Sequence, residues 1–336
     1  MQPKSLSAYV DYRRGMFDTK TDSTRPDYAL TGDDIAKAMR TMGVHAEHLG
    51  SFKRGTCHEI IPFACDGEAY ALRILADSRQ AFSLHMEDWA ANAAIEVGFP
   101  TIAPLITDTS RYLVPFDFQI LPWVDGPSFE GANDDVLKEA FAIVAAHLAR
   151  LHQISLNGYG PLDPRALFMS PPTKPRGLFD TWCDYLLRRF GEHLDKCLEL
   201  GAMTPAEVEQ AEDAVDSVAF DFAPTLLHGD LSNVNILTKD DAPCVIDWED
   251  CLSGDNVWDL ADWCAFHMPE RWSWIIDAYY AHAKKPADFN ARFWTYYLRI
   301  VVARTVQRAK MGKADNPAFP PASRRIQLAL ENLRKL

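Results

Sequence analysis

The strongest periodicity in the sequence is a helical one near the middle of the chain. Apolar residues recur there at intervals of three and four, at Leu137, Phe141, Val144, Leu148, Leu151 and Ile154. This spacing places them on one face of an amphipathic helix that packs against a core. Capping residues and apolar patterns predict further helices over residues 31–42, 82–96, 181–200 and 204–218, and one that begins at Asp255.

The chain before residue 122 carries strand patterns instead. A glycine-bearing loop leads into a strand that ends near Phe63, and the Asp66-Gly67 turn connects it to a second strand over residues 69–75. Another short apolar strand begins at Phe118 and runs into a connection that contains proline and ends at Gly126. The pattern therefore changes from strand to helix at this connection.

This change predicts the domain organisation. We expect a sheet-rich N-lobe over residues 31–121 and a mainly helical C-lobe over residues 122–336. Residues 1–30 are polar and rich in turn formers, which is typical of a loosely attached arm. We assign no function to this arm.

A second pair of β-prone runs, residues 234–237 and 244–246, encloses a dense group of oxygen-bearing side chains. The turn formers between the two runs predict a hairpin. A turn centred near Asp241 would place Asn235 opposite Asp247, roughly 5 Å apart by antiparallel geometry.

Two oxygen ligands at that separation can hold one hard cation. Mg²⁺ is the best candidate, because proteins hold it by one or two oxygen groups while water and substrate phosphates complete its coordination. Asp230 lies five residues before Asn235 on the loop that enters the hairpin. A carboxylate beside a metal can act as a base.

The segment His228-Gly-Asp230, with Asn235 after four further residues and Ile246-Asp247-Trp248-Glu249 beyond, resembles the aminoglycoside phosphotransferase and choline kinase family. The resemblance implies an α+β, bilobal protein-kinase-like fold with a small antiparallel-sheet N-lobe and a mainly helical C-lobe. It implies that Asp230 accepts the proton of a substrate hydroxyl. It further implies that Asn235 and Asp247 carry Mg²⁺ and ATP, with GTP as a possible replacement for ATP.

In this resemblance Arg73 occupies the position of the strand lysine that holds the α- and β-phosphates. Arginine offers a planar donor fork instead of a point charge, so the geometry of phosphate binding changes while the binding survives. Glu87 is its predicted partner. Gly55 and Thr56 belong to the glycine-bearing loop that would cover the nucleotide.

The connection between the lobes would be the hinge that binds adenine. Backbone groups near Leu121 and Trp123 are predicted to pair with the base. Pro122 lacks an N–H group, which restricts the available donors.

Three further residues, His228, Asp255 and Asp259, are expected to support the catalytic loop structurally. Asp255 reads as the N-cap of the following helix, and Asp259 lies in its first turn. His228 belongs to the motif itself.

The acceptor site is the least specified part of the sequence. Glu249 could bind a second Mg²⁺ or a cationic substrate, or it could be a solvated side chain. Six of the nine tryptophans follow Asp247, and most of them must be core. Among these, Trp263 and Trp272 are candidates for an aromatic substrate face.

Composition narrows the function class. A net charge of -13 argues against nucleic acid as the main partner. The seven cysteines are odd in number and form no C-x-x-C pair, so neither a disulfide framework nor a thiolate zinc site is indicated. No run approaches the length of a membrane span and no signal segment opens the chain. We therefore expect a cytoplasmic protein.

The resulting hypothesis is a small-molecule kinase. It would transfer the γ-phosphoryl group of ATP to a hydroxyl of an amine-bearing or sugar-like acceptor, such as an aminoglycoside-type antibiotic, a choline-like molecule or another metabolite. A catalytically inactive nucleotide-binding pseudokinase is the main alternative. A protein kinase is a weaker one, because Gly229 replaces the phosphate-sensing arginine of protein kinases and Glu249 replaces the glycine that follows their metal-binding Asp.

Overall fold

The structure is a computed structural model that describes residues 31–42, 47–48, 53–54, 58–75, 82–216, 218–312 and 320–336. The predicted N-terminal arm and the predicted nucleotide contacts of Gly55 and Thr56 lie outside these residues. Within them the chain combines antiparallel sheets with many helices, as the α+β prediction requires.

The helices of the described residues are α1 (Gly32–Met39), α2 (Ser83–Glu96), α3 (Asp134–Leu151), α4 (Trp182–Leu187), α5 (Phe190–Glu199), α6 (Pro205–Asp216), α7 (Asn256–Ala265), α8 (Trp272–Tyr280), α9 (Phe289–Lys310) and α10 (Ala322–Leu333). The strands are β1 (Glu47–His48), β2 (Lys53–Arg54), β3 (His58–Cys65), β4 (Glu68–Leu75), β5 (Ile106–Asp108), β6 (Phe118–Pro122), β7 (Tyr159–Leu162), β8 (Gly177–Phe179), β9 (Thr225–Leu227), β10 (Ile236–Lys239), β11 (Ala242–Val245) and β12 (Leu252–Gly254). Short 3₁₀ turns cover Arg40–Met42, Pro164–Phe168, Asn233–Asn235 and Pro269–Arg271.

One antiparallel sheet contains the first six strands, in the order β1-β3-β4-β6-β5 with β2 also paired to β3. The predicted Asp66-Gly67 turn joins β3 to β4, and both residues have positive φ, as a two-residue hairpin turn requires. Apolar side chains of the sheet and of α1 form a small core of their own. This core holds the strand that carries Arg73.

Helix α2 follows the sheet in sequence, yet its buried face belongs to the larger core of the molecule. Met86, Ala90 and Ala94 pack with residues of α3 and of the later helices. The apolar face of α3 is buried there as its periodicity predicts. The helix over residues 83–96 thus shares its core with the chain beyond residue 129. A separate core for each lobe would mark the predicted lobe boundary near residue 121, and this boundary stays a prediction.

The predicted continuous helix over residues 181–200 is wrong. The chain breaks between α4 and α5, where Arg189 has a φ of 52°. The buried guanidinium of Arg299 donates to the carbonyl oxygens of Leu186 at 2.6 Å and Arg188 at 2.9 Å. Local helix propensity is therefore overridden by a tertiary contact that satisfies the carbonyls at the break.

The predicted hairpin around residue 241 is present as β10 and β11, with a register one residue from the prediction. Asp240 and Asp241 form its two-residue turn, and Ile236 pairs with Val245. Asn235 therefore lies opposite Ile246, whose N–H donates to the Asn235 carbonyl at 2.8 Å. The expectation that Asn235 faces Asp247 directly is wrong by this one step.

Within the described parts of the chain, every helix is too short or too polar to span a lipid bilayer.

Candidate active site

The loop after β9 depends on a glycine. Gly229 has a φ of 84°, and a Cβ at this position would overlap the carbonyl oxygen of Asp250. Only glycine combines this left-handed backbone with so close a neighbour. The turn places Asp230 at the wall of a cleft, with a quarter of its side chain exposed.

Asp259 of α7 holds this loop from beneath. Its carboxylate accepts hydrogen bonds from the backbone N–H of His228 at 2.8 Å and of Gly229 at 2.9 Å. The ring of His152 contacts the same carboxylate at 3.2 Å. His228 is buried against Trp248, and this burial lowers the pKa of its imidazole.

Asp255 supports the start of α7. Its carboxylate accepts from the N–H of Val257 at 3.0 Å, which is an N-cap contact. The same carboxylate accepts from Arg292 at 3.1 Å and from the Tyr296 hydroxyl at 2.8 Å. Burial raises the pKa of Asp255, although these donors act against the shift. The helix that presents Asp259 is thus anchored at its first residue.

Asp230 and Asn235 are in direct contact. The side-chain amide of Asn235 donates to the Asp230 carboxylate at 2.9 Å and to the Asp230 carbonyl oxygen at 3.0 Å. Because its nitrogen faces Asp230, the Asn235 side chain has its amide oxygen as the atom that a cation would meet.

Arg73 connects β4 to the hairpin strand. It forms an ion pair with Glu87, as predicted, and its Nη2 donates to the Asp247 carboxylate at 3.0 Å. Gln119 accepts from the same guanidinium at 3.2 Å. Burial lowers the pKa of Arg73, but the charges of Glu87, Asp247 and Glu249 outweigh it and raise the pKa overall.

Asp247 has a φ of 71°, a left-handed conformation that Asp tolerates better than most residues. This backbone turn ends the strand geometry after Ile246. Glu249 lies two residues on, with its Oε2 atom 3.5 Å from His58 Nδ1 and 3.9 Å from Arg73 Nη2. Its side chain is only 12% exposed, so it belongs to the cleft and is not a solvated surface residue.

The donor chemistry of this cluster fits a magnesium ion. Three carboxylates, those of Glu87, Asp247 and Glu249, surround the single guanidinium of Arg73. The excess negative charge favours an additional cation. Carboxylate and amide oxygens, which Asp247 and Asn235 provide, are the ligands that Mg²⁺ prefers.

A cavity of about 770 Å³ lies in front of these residues. Arg73, Asp230, Asn235, Asp247 and Glu249 all line it, together with the connection over residues 121–128. This volume is within the range of ligand-binding clefts. The cleft thus brings together all the described residues for which the sequence predicts a direct nucleotide or metal contact except Glu87, which reaches it through Arg73.

The predicted adenine contacts stay a prediction, and strand pairing limits which backbone groups near Leu121 and Trp123 can make them. The N–H of Trp123 donates to the carbonyl of Ala69 at 3.0 Å, and Leu121 pairs with Ala71, so both backbone positions face β4. Backbone groups alternate between the two sides of a strand. If this alternation continues beyond the end of β6, the carbonyl of Pro122 and the N–H of Val124 are directed to the other side, and both residues line the cavity.

The two candidate substrate tryptophans are core residues. Trp263 is fully buried and packs edge-on against Phe141. Trp272 is also buried, and its indole N–H donates to the carbonyl of His267 at 3.1 Å. Neither residue lines the cavity. Both tryptophans therefore serve helix packing, which is the role expected for most of the tryptophans after Asp247.

One residue of the site, Arg304, carries no recognisable sequence signal. Arg304 of α9 donates to the Asp230 carboxylate at 3.2 Å and to the Asp262 carboxylate at 2.6 Å. Arg304 lies 74 residues beyond Asp230. No motif links positions so far apart, and only the folded helix arrangement brings them together.

Comparisons with known proteins agree with this geometry. The family model described as phosphotransferase enzyme family (APH) matches residues 65–305. No curated protein sequence matches the chain significantly.

Solved structures share the whole fold. The crystal structure of aminoglycoside phosphotransferase APH(4)-Ia has a TM-score of 0.64 at 18% identity, covering 90% of this chain and 99% of that chain. A thermostable mutant of it, in ternary complex with AMP-PNP and hygromycin B, has a TM-score of 0.62 at 18% identity, with 89% and 98% covered. A putative fructosamine-3-kinase from Thermobifida fusca has a TM-score of 0.63 at 20% identity, with 90% and 99% covered. These similarities confirm the predicted bilobal protein-kinase-like fold.

Proposed function

This chain belongs to the phosphotransferase enzyme family, and we propose that it transfers the γ-phosphoryl group of ATP to a hydroxyl group of a small molecule. The observation that carries the proposal is the convergence of Asp230, Asn235, Asp247 and Arg73 on one cleft. The solved APH(4)-Ia mutant complex holds AMP-PNP and hygromycin B, which supports a nucleotide and a small acceptor as the two ligands.

Asp230 would orient the acceptor hydroxyl and take its proton as the oxygen attacks the γ-phosphorus. The bond between that phosphorus and the bridging oxygen breaks, and ADP leaves. Phosphoryl transfer needs little covalent help from the protein, so positioning and charge neutralisation supply most of the rate. The short link from Asn235 to Asp230 serves this positioning.

Arg73 would hold the phosphates. Its ion pair with Glu87 fixes the guanidinium from behind, while its contact with Asp247 brings it to the metal side of the cleft. Asn235 and Asp247 would hold Mg²⁺, which supplies charge neutralisation at the phosphate oxygens. The carbonyl of Pro122 and the N–H of Val124 would pair with adenine.

The acceptor is proposed only as a chemical class, an amine-bearing or sugar-like hydroxyl compound. Glu249 lines the cleft and could meet a cationic group of such a compound or a second Mg²⁺. GTP stays an alternative to ATP, although guanine presents an oxygen and an N–H group where adenine presents its amino group and a ring nitrogen. The cytoplasmic location stays a prediction, and the six cysteines within the described residues are all free thiols.

An acceptor panel tests this function. The purified protein is incubated with Mg·ATP or Mg·GTP and aminoglycosides, choline, fructosamines, other sugars and a protein mixture, and ADP or GDP release is measured. We expect turnover with a small hydroxyl acceptor.

Site variants test the residue assignment. Asp230→Asn and Asp247→Asn should each remove nearly all of the turnover, whereas Asp213→Asn, on the exposed face of α6, should not. Undiminished turnover in the Asp247 variant would reject the site assignment, and nucleotide binding without any turnover would indicate a pseudokinase.

A further inference from the structure

The carboxylate of Asp230 is held at both of its oxygens. Asn235 donates to Oδ2 at 2.9 Å from the hairpin side. Arg304 donates to Oδ1 at 3.2 Å from helix α9. A carboxylate held at one oxygen can still rotate about its Cβ–Cγ bond, whereas one held at both has a fixed plane. The two donors come from distant parts of the chain, so they fix the carboxylate relative to the fold as a whole.

Arg304 is itself fixed on two further sides. The same Nη2 atom donates to Asp262 Oδ1 at 2.6 Å, and the guanidinium carbon lies 3.9 Å from the centre of the Phe266 ring. The latter distance is that of a close cation–π contact. Only 22% of the Arg304 side chain is exposed. The guanidinium therefore has one well-defined position beside Asp230.

We propose that Arg304 is a positioning residue for Asp230, and that Asp262 and Phe266 hold Arg304 in place. This inference rests on the proposed phosphoryl transfer to which Asp230 contributes. Each carboxylate oxygen has two lone pairs, so the two donors leave acceptor sites for the hydroxyl of the substrate. The role of Arg304 is to keep those sites aimed into the cleft.

A purely structural role explains these contacts less well. Burial raises the pKa of Asp262 even though Arg304 acts against the shift, so the ionised carboxylate is costly at this position. Buried ion pairs often add little net stability compared with apolar residues of similar size. Asp230 also lines the cleft and belongs to neither α7 nor α9, so this contact joins α9 to the catalytic loop.

The experiment compares kinetic constants and thermal stability for Arg304→Ala, Arg304→Lys and Asp262→Asn with those of the wild-type protein. Arg308→Ala is the matched control, because it removes the same side chain one turn further along α9. We expect Arg304→Ala to lower kcat by about 10- to 100-fold, since small misplacements of a catalytic group have effects of that order. The KM for ATP should change less than about twofold, because Arg304 does not line the cavity proposed to hold the nucleotide.

Chemical rescue separates positioning from folding. Guanidinium ion at low millimolar concentration should restore part of the kcat of Arg304→Ala, and Arg304→Lys should retain more activity than the alanine variant. Asp262→Asn should give a smaller loss than Arg304→Ala, because the Phe266 contact remains. Should Arg304→Ala fail to fold, Arg304→Lys and Asp262→Asn carry the same test through the split between kcat and KM.

Two results would overturn the inference. One is a kcat for Arg304→Ala equal to that of the wild type. The other is a loss that guanidinium does not relieve and that Arg308→Ala reproduces. Absence of turnover in the wild-type protein would overturn the proposed function and this inference with it. Failure of the inference alone would leave the wild-type turnover intact, so the two failures can be told apart.

Discussion

Gly229 decides where the neighbouring carboxylate can lie. Its φ of 84° and its contact with the Asp250 carbonyl leave no room for a side chain. The protein-kinase catalytic loop has an arginine at the corresponding position, and this turn has no room for such a side chain. The resulting loop depends on backbone contacts, chiefly those to Asp259.

Replacing Gly229 by alanine should therefore affect both stability and turnover. Left-handed strain and overlap with backbone together cost on the order of 1–3 kcal/mol. We expect a lower midpoint of unfolding and a kcat reduced by at least about tenfold, because the loop must shift Asp230 to relieve the overlap. Denaturant unfolding and steady-state kinetics measure the two effects.

Gly191 offers the matched control. It lies in α5 with nothing near its missing Cβ. Gly191→Ala should stabilise the protein by about 0.5–1 kcal/mol through helix propensity, with turnover unchanged. A Gly229→Ala variant that resembles Gly191→Ala would contradict the steric argument.

His267 gives a prediction about pH. It is buried beside Phe141, and burial together with the charge of Arg271 lowers its pKa to about 4. In the unfolded chain His267 binds a proton once the pH falls below its ordinary pKa of 6.5, whereas in the folded chain it does so only near pH 4. The contribution of His267 to the free energy of unfolding is therefore present at neutral pH and is lost as the pH falls from 6.5 towards about 4.

Between about pH 7 and about pH 5 the loss from His267 should be about 2 kcal/mol. Urea unfolding of the wild type and of His267→Gln at both values measures it. The variant should lose less stability on acidification than the wild type does. Equal losses in the two proteins would show that this histidine does not titrate as its burial indicates.

The residues of the local motif could be predicted from sequence, and those of the distant contacts could not. Asp230, Asn235 and Asp247 lie within one short stretch, where hairpin geometry limits the possible arrangements. Arg304 and Asp262 reach the same site only because α9 packs against α7. Nothing in the sequence context of Arg304 distinguishes it from other charged residues on amphipathic helices.

At the scale of elements, the periodic pattern predicted the existence of helices and strands better than their internal geometry. The hairpin over residues 236–245 was expected, but its register depends on which two residues form the turn. The break between α4 and α5 depends on Arg299, more than a hundred residues away. Both errors arise where a tertiary or turn-specific contact decides between similar local alternatives.

The connection after β6 shows how such geometry changes a functional assignment. Strand pairing uses the N–H of Trp123, and Pro122 has none. By strand alternation, Val124 is then the first residue of the connection whose N–H is expected to point away from β4. Its proposed partner is a ring nitrogen of adenine.

Nucleotide analogues test this assignment without altering the fold. ATP lacking the N1 ring nitrogen loses the acceptor for Val124, so its KM should rise by about tenfold, as expected for one hydrogen bond to a buried partner. ATP lacking the N7 nitrogen should behave like ATP. Equal KM values for the N1-lacking analogue and ATP would show that the base does not pair with this N–H.

At the scale of the whole molecule, contacts join the chain before β6 to the segment that follows the hairpin strand β11, across the back of the cleft. Arg73 of β4 reaches Asp247, and the indole N–H of Trp248 donates to the Thr101 hydroxyl at 2.9 Å. Thr101 also forms an isolated bridge with Val245. A ligand that joins Arg73 to Asp247 would add to these links and should stabilise the folded chain.

Mg·ATP should therefore raise the unfolding temperature, and it should do so through Asp247. At 100 times its dissociation constant, a ligand adds about 2.7 kcal/mol, which corresponds to a rise of about 4 °C for a chain of this size. ATP without Mg²⁺ should give a smaller rise, because the carboxylates of Asp247 and Glu249 then face the phosphates with only the guanidinium of Arg73 between them.

Thermal unfolding of the wild type, Asp247→Asn and Asp213→Asn, each with ATP alone and with Mg·ATP, measures the contribution of the metal. Asp213→Asn should keep the full difference between the two ligands. Asp247→Asn should lose most of it, yet bind ATP alone at least as well as the wild type, since one carboxylate beside the phosphates is gone. An unchanged magnesium-dependent rise in Asp247→Asn would place the cation elsewhere in the cleft, and the convergence of these oxygen groups would then have another cause.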